Sequence, residues 1–202
     1  MKSKKTNASK KDAGIHSLSA DKKLIKQITT KKKWNDLSID ESSRQQLNKI
    51  STPVHTFTNT VGLESTDTSK GKIILFAGSG KKNKKLAAKL LGNQLSQEVY
   101  RVDLSRLVSK YIGETEKNLD KIFNTAEQKN WILFFDEADA LFGKRTNVKD
   151  SHDKYANQEV SYLLQRIEEY PGLVILNSNS KDDDPGKFAK LTNTVIHFKK
   201  PV

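Results

Sequence analysis

Apolar residues in this chain come in short runs set apart by polar stretches with a helical period. Ile73–Phe76, Val99–Val102, Trp131–Phe135, Leu173–Leu176 and Val195–Phe198 each have the length and β-branched or aromatic content of a buried strand. Between them Leu86, Leu90 and Leu91 mark one helix face, and Leu119, Ile122, Phe123 and Ala126 mark a second. Val160, Leu163, Leu164 and Ile167 mark a third. Strands alternating with helices predict βαβ units, and nearly continuous apolar strands predict a parallel sheet covered on both faces. The expected fold is therefore α/β, a parallel five-stranded sheet flanked by helices. Upstream, Trp34, Leu37 and Ile39 open a more globular pattern, followed by a polar helix candidate over Glu41–Ile50 that ends before Pro53. Residues 1–30 carry few large apolar groups and read as a disordered tail. The chain divides on this reading into a tail (1–30), a linker with a helical segment (31–70) and the α/β core (71–202).

Charge sharpens that division. The formal net charge is +12, yet residues 1–33 hold 11 Lys against Asp12 and Asp21, so +9 sits there and only +3 on the rest. Basic character belongs to the tail, which offers phosphate-directed contacts to a nucleic acid or another polyanion, or is simply a solvated leader. The absence of cysteine excludes disulfides and thiolate metal sites, and His16, His55, His152 and His197 are too scattered for zinc. No apolar run is long enough to cross a membrane, and no apolar stretch follows the basic N-terminus as a secretory signal requires. A cytoplasmic setting is the expectation.

The sharpest chemical signal is Ile132-Leu133-Phe134-Phe135-Asp136-Glu137. A buried strand here delivers two carboxylates at its carboxyl end, where open α/β sheets bind ligands. In phosphate-loop enzymes an Asp at this place helps to hold Mg²⁺, and a neighbouring Glu can act as general base toward water. A strand that merely ends in a solvated acidic turn has the same six residues.

The longer run from Phe134 through Asp136, Glu137, Ala138 and Asp139 to Arg145 resembles the Walker B region of AAA+ ATPases. Leu107 through Lys110, Tyr111, Ile112, Gly113 and Glu114 to Asn118 is similar to the same family's segment with the first pore loop. Val174-Ile175-Leu176-Asn177-Ser178-Asn179 resembles the strand that ends in the sensor-1 residue, which falls on Asn179, and Trp34-Asn35-Asp36-Leu37 resembles the linker before the core. The resemblance covers roughly residues 34–198 and concerns the large α/β subdomain. It implies a P-loop NTPase-like fold, ATP as ligand with Mg²⁺ held by Asp136, catalytic roles for Glu137 and Asn179, and a polypeptide-gripping tip at Tyr111, Ile112 and Gly113. It also implies other AAA+ subunits, in a homo- or hetero-oligomer, and a protein substrate as partners.

Three departures from the family pattern are legible. A working phosphate loop reads GxxxxGK[ST], whereas the first strand here runs into Gly78-Ser79-Gly80-Lys81-Lys82-Asn83-Lys84-Lys85. Gly78, Gly80, Asn83 and Lys84 are the candidate phosphate binders. Asn83 replaces the second glycine and is the side chain best able to keep a left-handed conformation there. Lys84 keeps the phosphate-directed lysine, but Lys85 replaces the hydroxyl, and an ammonium cannot ligate Mg²⁺ and repels it. Second, 188–194, where the family carries an arginine finger, offers only Lys190, and no arginine follows Arg166. Third, the sequence ends at Val202, which leaves no residues for the family's small helical lid. The leading expectation is a hydrolysis-deficient AAA+ module that acts by binding nucleotide, phosphate or protein partners. The alternatives are an active ATPase that remodels a protein with a partner-supplied arginine, and a polyanion binder using the Lys-rich tail and loop.

Overall fold

The computed structural model describes residues 24–51, 71–104, 115–142, 151–179 and 188–199. Its strands are β1 (Ile25–Gln27), β2 (Lys72–Gly78), β3 (Val99–Asp103), β4 (Ile132–Asp136), β5 (Leu173–Asn177) and β6 (Thr194–Phe198). Its helices are α1 (Glu41–Ser51), α2 (Lys81–Leu95), α3 (Thr115–Lys129) and α4 (Ser151–Glu169), with short 3₁₀ turns at Trp34–Asp36 and Ala138–Phe142.

The sheet runs β1-β3-β4-β5-β2-β6. Every pairing from β3 to β6 is parallel. Each of the five expected strands is present, lengthened by one to three residues or shifted by one. The sheet nevertheless has six strands rather than five, because β1 pairs antiparallel with β3, Ile25 opposite Val102. It falls inside 1–30, the stretch read as a tail. Three residues among lysines carry no detectable period; what orders them is tertiary, since Leu24 and Ile25 are buried in one cluster with Val102 and Leu104.

Side chains alternate across β2 as a doubly covered strand demands. Ile73, Leu75 and Ala77 join Leu119, Ile122, Phe123 and Ala126 of α3 and Leu163 and Ile167 of α4 on one face. Ile74 and Phe76 join Ala87, Ala88, Leu90 and Leu91 of α2 and Leu47 of α1 on the other. The result is a helix–sheet–helix sandwich. Asp40 begins α1 by accepting the Ser43 N–H at 3.0 Å, a side-chain cap for an otherwise orphaned donor. The Ser43 hydroxyl lies 2.8 Å from the His197 carbonyl and ties α1 to β6. On the opposite edge Trp131 stacks on Tyr100 with ring centroids 3.6 Å apart, and its indole N–H donates to Glu98 at 2.9 Å.

Chain order sets the place for function. From β2 the chain passes through α2 to β3, and after β5 it crosses β2 to reach β6 on the other side. Such a reversal opens a crevice at the carboxyl ends of the central strands. Gly78, Asp136 and Asn177 close β2, β4 and β5 at that end.

Candidate functional site

β2 turns into α2 through Ser79 and Gly80 alone. Gly78 has φ +87°, and a Cβ placed there would lie 2.5 Å from the Phe198 carbonyl oxygen, so this position requires glycine. Gly80 caps α2 without a side-chain hydrogen bond, and the first turn holds no acidic residue. Lys81, Lys82, Lys84 and Lys85 thus crowd the positive end of the helix dipole, an arrangement that costs stability unless anions offset it.

Two of these lysines have fixed partners at the strand ends. Lys84 is wholly buried. Its Nζ donates to the Gly78 carbonyl at 2.5 Å, the Ser178 carbonyl at 2.5 Å and Asn179 Oδ1 at 3.3 Å. The ammonium has three protons, and here they bolt the end of β2 to the segment after β5. Lys85 Nζ lies 2.9 Å from Asp136 Oδ2. The same oxygen accepts Arg101 Nε at 2.7 Å, and Asp136 Oδ1 accepts Asn177 Nδ2 at 2.6 Å. Arg101 also reaches Asp103 Oδ2 at 3.2 Å, and the parallel register sets Asp103 beside Asp136.

Asp136 is buried to 1% exposure. Burial pushes its pKa up, but hydrogen bonds from Lys85, Arg101 and Asn177 outweigh that and hold the carboxyl down at about 2. It is a carboxylate at any ordinary pH. Asn177 is fully buried, and its own Oδ1 has no hydrogen-bond partner among the described residues.

Glu137, the expected general base, has φ +60°, an uncommon left-handed conformation for a side chain of its size. It starts the turn into Ala138–Phe142, and its carboxylate stands 3.7 Å from Lys81 Nζ with both groups well exposed. Behind it, Asp139 accepts the Ser178 hydroxyl at 2.6 Å and the Asn179 backbone N–H at 2.7 Å.

The crevice therefore brings Gly78, Gly80, Lys84, Asp136 and Asn179 together. Asn83 behaves otherwise. It is not among the described residues with positive φ but lies inside α2, and its Nδ2 donates to the Ser38 carbonyl at 2.6 Å. With helix beginning at Lys81, Asn83 sits in the first turn rather than at a loop corner, so no left-handed glycine substitute is needed. Tyr111, Ile112 and Gly113 lie outside the described residues. Sequence reasoning missed Arg101, Asn177 and Asp139 as structural partners. Arg101 had one signal, a lone cation inside an apolar strand and two residues before an Asp.

The family implies Mg²⁺ and nucleotide, and the donor set decides how well each fits. Mg²⁺ demands near-octahedral oxygen ligands at about 2.0–2.1 Å. Both Asp136 oxygens already accept hydrogen bonds from N–H donors, and two of these donors, Lys85 and Arg101, are cationic. Mg²⁺ does not fit this set. A phosphate would find lysines and helix N–H groups, though the Lys84 protons are engaged by the protein's own oxygens.

No helix among the described residues is long and apolar enough to cross a membrane. Comparison with known proteins agrees with the geometry. The family model described as "ATPase family associated with various cellular activities (AAA)" matches residues 74–199. The Peroxisomal ATPase PEX6 of Saccharomyces cerevisiae is 30% identical over 171 residues, covering 78% of this chain and 16% of its own length. A Cell division cycle protein 48 homolog from Archaeoglobus fulgidus is 29% identical over 155 residues, covering 75% of this chain and 21% of its own length. Among solved structures, the FIGL-1 AAA domain in complex with ADP superimposes with a TM-score of 0.60 at 16% identity, over 98% of this chain and 65% of that one. The chain thus spans about a fifth or less of these two curated relatives. With a family model over most of its core and the matching sheet beneath it, the chain belongs to the AAA family of ATPases.

Proposed function

We propose that this chain is an AAA module deficient in ATP hydrolysis, which works by binding rather than by turnover. Family membership implies nucleotide binding, usually with Mg²⁺. The observation that carries the finer reading is the Lys85 ammonium 2.9 Å from Asp136, the carboxylate on which metal-assisted phosphoryl transfer would depend. The missing arginine in 188–194 points the same way. Its partners on this reading are other AAA subunits and a polypeptide, the latter met by Tyr111, Ile112 and Gly113, in a cytoplasmic setting. Nucleotide, where it binds, is a weak ligand held by lysines and the start of α2.

A phosphate-release assay on the full chain, with ATP in the presence and absence of Mg²⁺, tests this. The expected result is release at background level in both. Steady Mg²⁺-dependent release that disappears in Glu137→Gln would instead establish an active ATPase and overturn the proposal.

A further inference from the structure

We infer that Lys85 is a tethered replacement for the divalent cation: its ammonium occupies the metal's place at Asp136 and keeps the site closed to Mg²⁺. The inference deepens the hydrolysis-deficient reading and rests on the same crevice, but it concerns occupancy, not turnover.

The geometry supports it at each atom. Asp136 is a buried anion, which a folded protein must neutralise or pay heavily for. In an intact loop, the hydroxyl at this position and the Asp share a metal ion whose double charge does that work. Here the side chain at the hydroxyl position reaches Asp136 Oδ2 itself at 2.9 Å and delivers one positive charge. Arg101 delivers the second to the same oxygen at 2.7 Å. Asn177 closes the other oxygen with an N–H donor at 2.6 Å, where a metal would need lone pairs. Two monovalent cations thus replace one divalent cation, and a metal approaching the carboxylate meets like charge first. Lys85 is the member that can be undone. It stands at the family's hydroxyl position, whereas Arg101 is braced from behind by Asp103.

Mn²⁺ alone, added to the full chain, gives the test, because its unpaired electrons broaden nearby NMR signals without any activity being needed. The wild-type Asn177 side-chain amide should show no localised broadening with Mn²⁺ in several-fold excess. Lys85→Thr, which removes the charge and restores a hydroxyl, should show it, with apparent affinity at least tenfold higher. Lys85→Arg, which keeps the charge, should behave as wild type. If Lys85→Thr does not fold, Lys85→Gln serves in its place. Equal broadening in wild type and the neutral variant overturns the inference. Broadening in neither also overturns it, since something other than Lys85 would then exclude the metal. A chain that takes up Mn²⁺ at Asp136 yet releases no phosphate from ATP would sink this inference and leave the proposed function standing. A chain that turns over ATP while Mn²⁺ ignores Asp136 would do the reverse.

Discussion

Replacing Asp136 by Asn probes the ion cluster most directly, because in an ordinary metal-holding site the same change weakens function and leaves the fold largely intact. Here the carboxylate is the anionic centre for Lys85, Arg101 and Asn177. Its pKa falls from 3.8 to about 2 on folding, and at about 1.4 kcal/mol per unit the ionised form gains about 2 kcal/mol over the neutral one. A fully buried pair broken on one side costs about 3–5 kcal/mol. Lys85 and Arg101 are 30% and 28% exposed and recover part of their hydration, so the lower figure applies. For a domain of this size about 2 kcal/mol lowers Tm by roughly 4–8 °C. Because the folded pKa is depressed, this stabilisation is complete above pH 3.8 and vanishes as pH falls through about 2. Urea unfolding of Asp136→Asn beside wild type should therefore show a lower midpoint at pH 7 with an unchanged m-value, and a deficit that closes as the acid end is approached. Equal midpoints at pH 7, or a deficit that persists unaltered near pH 2, would refute the idea that the carboxylate is structural.

Other parts of the crevice and core yield further expectations. Gly78→Ala combines a positive φ with a Cβ 2.5 Å from the Phe198 carbonyl, and should cost about 1–3 kcal/mol or more in thermal unfolding while pushing β6 away from β2. Asp139→Ala removes the acceptor for both the Ser178 hydroxyl and the Asn179 N–H. It should cost about 1–3 kcal/mol and speed hydrogen exchange at Asn179. Tyr162 gives its hydroxyl to Asp120, a bond that with burial and the neighbouring charge raises its pKa to about 12, and burial raises that of Tyr170 further still. Ultraviolet titration should find both tyrosines un-ionised at pH 10.5 in the folded chain. The stability they contribute is intact below pH 10 and declines as pH climbs toward about 12.

The parallel sheet was legible because its central strands β2, β4 and β5 are buried on both faces and must be written almost wholly in apolar residues, as in Ile132–Phe135. Helix faces were legible for the same reason: Leu119, Ile122, Phe123 and Ala126 are all in the core. β1 was not, since its order comes from pairing with β3 and from Leu24 and Ile25 meeting Val102, and no local pattern encodes such a contact. In the site, spacing along one segment showed Asp136 and Lys84. It could not show that Arg101, two residues upstream of the strand position facing Asp136, or Asn177, directly across in β5, would converge on one carboxylate. Lys85 was visible as a charge that repels Mg²⁺; that it is also the counter-ion of Asp136 is a three-dimensional fact.

β1 has a practical side. An open sheet edge with bare N–H and C=O groups invites pairing with a stray chain, and β3 would present such an edge. Residues 25–27 lie along it and shield it, with lysine on the outward strand. A recombinant version trimmed at residue 30, the boundary that the scarcity of large apolar groups alone would suggest, would strip that guard from the sheet. It should be sticky in solution, and a version starting near residue 20 should not.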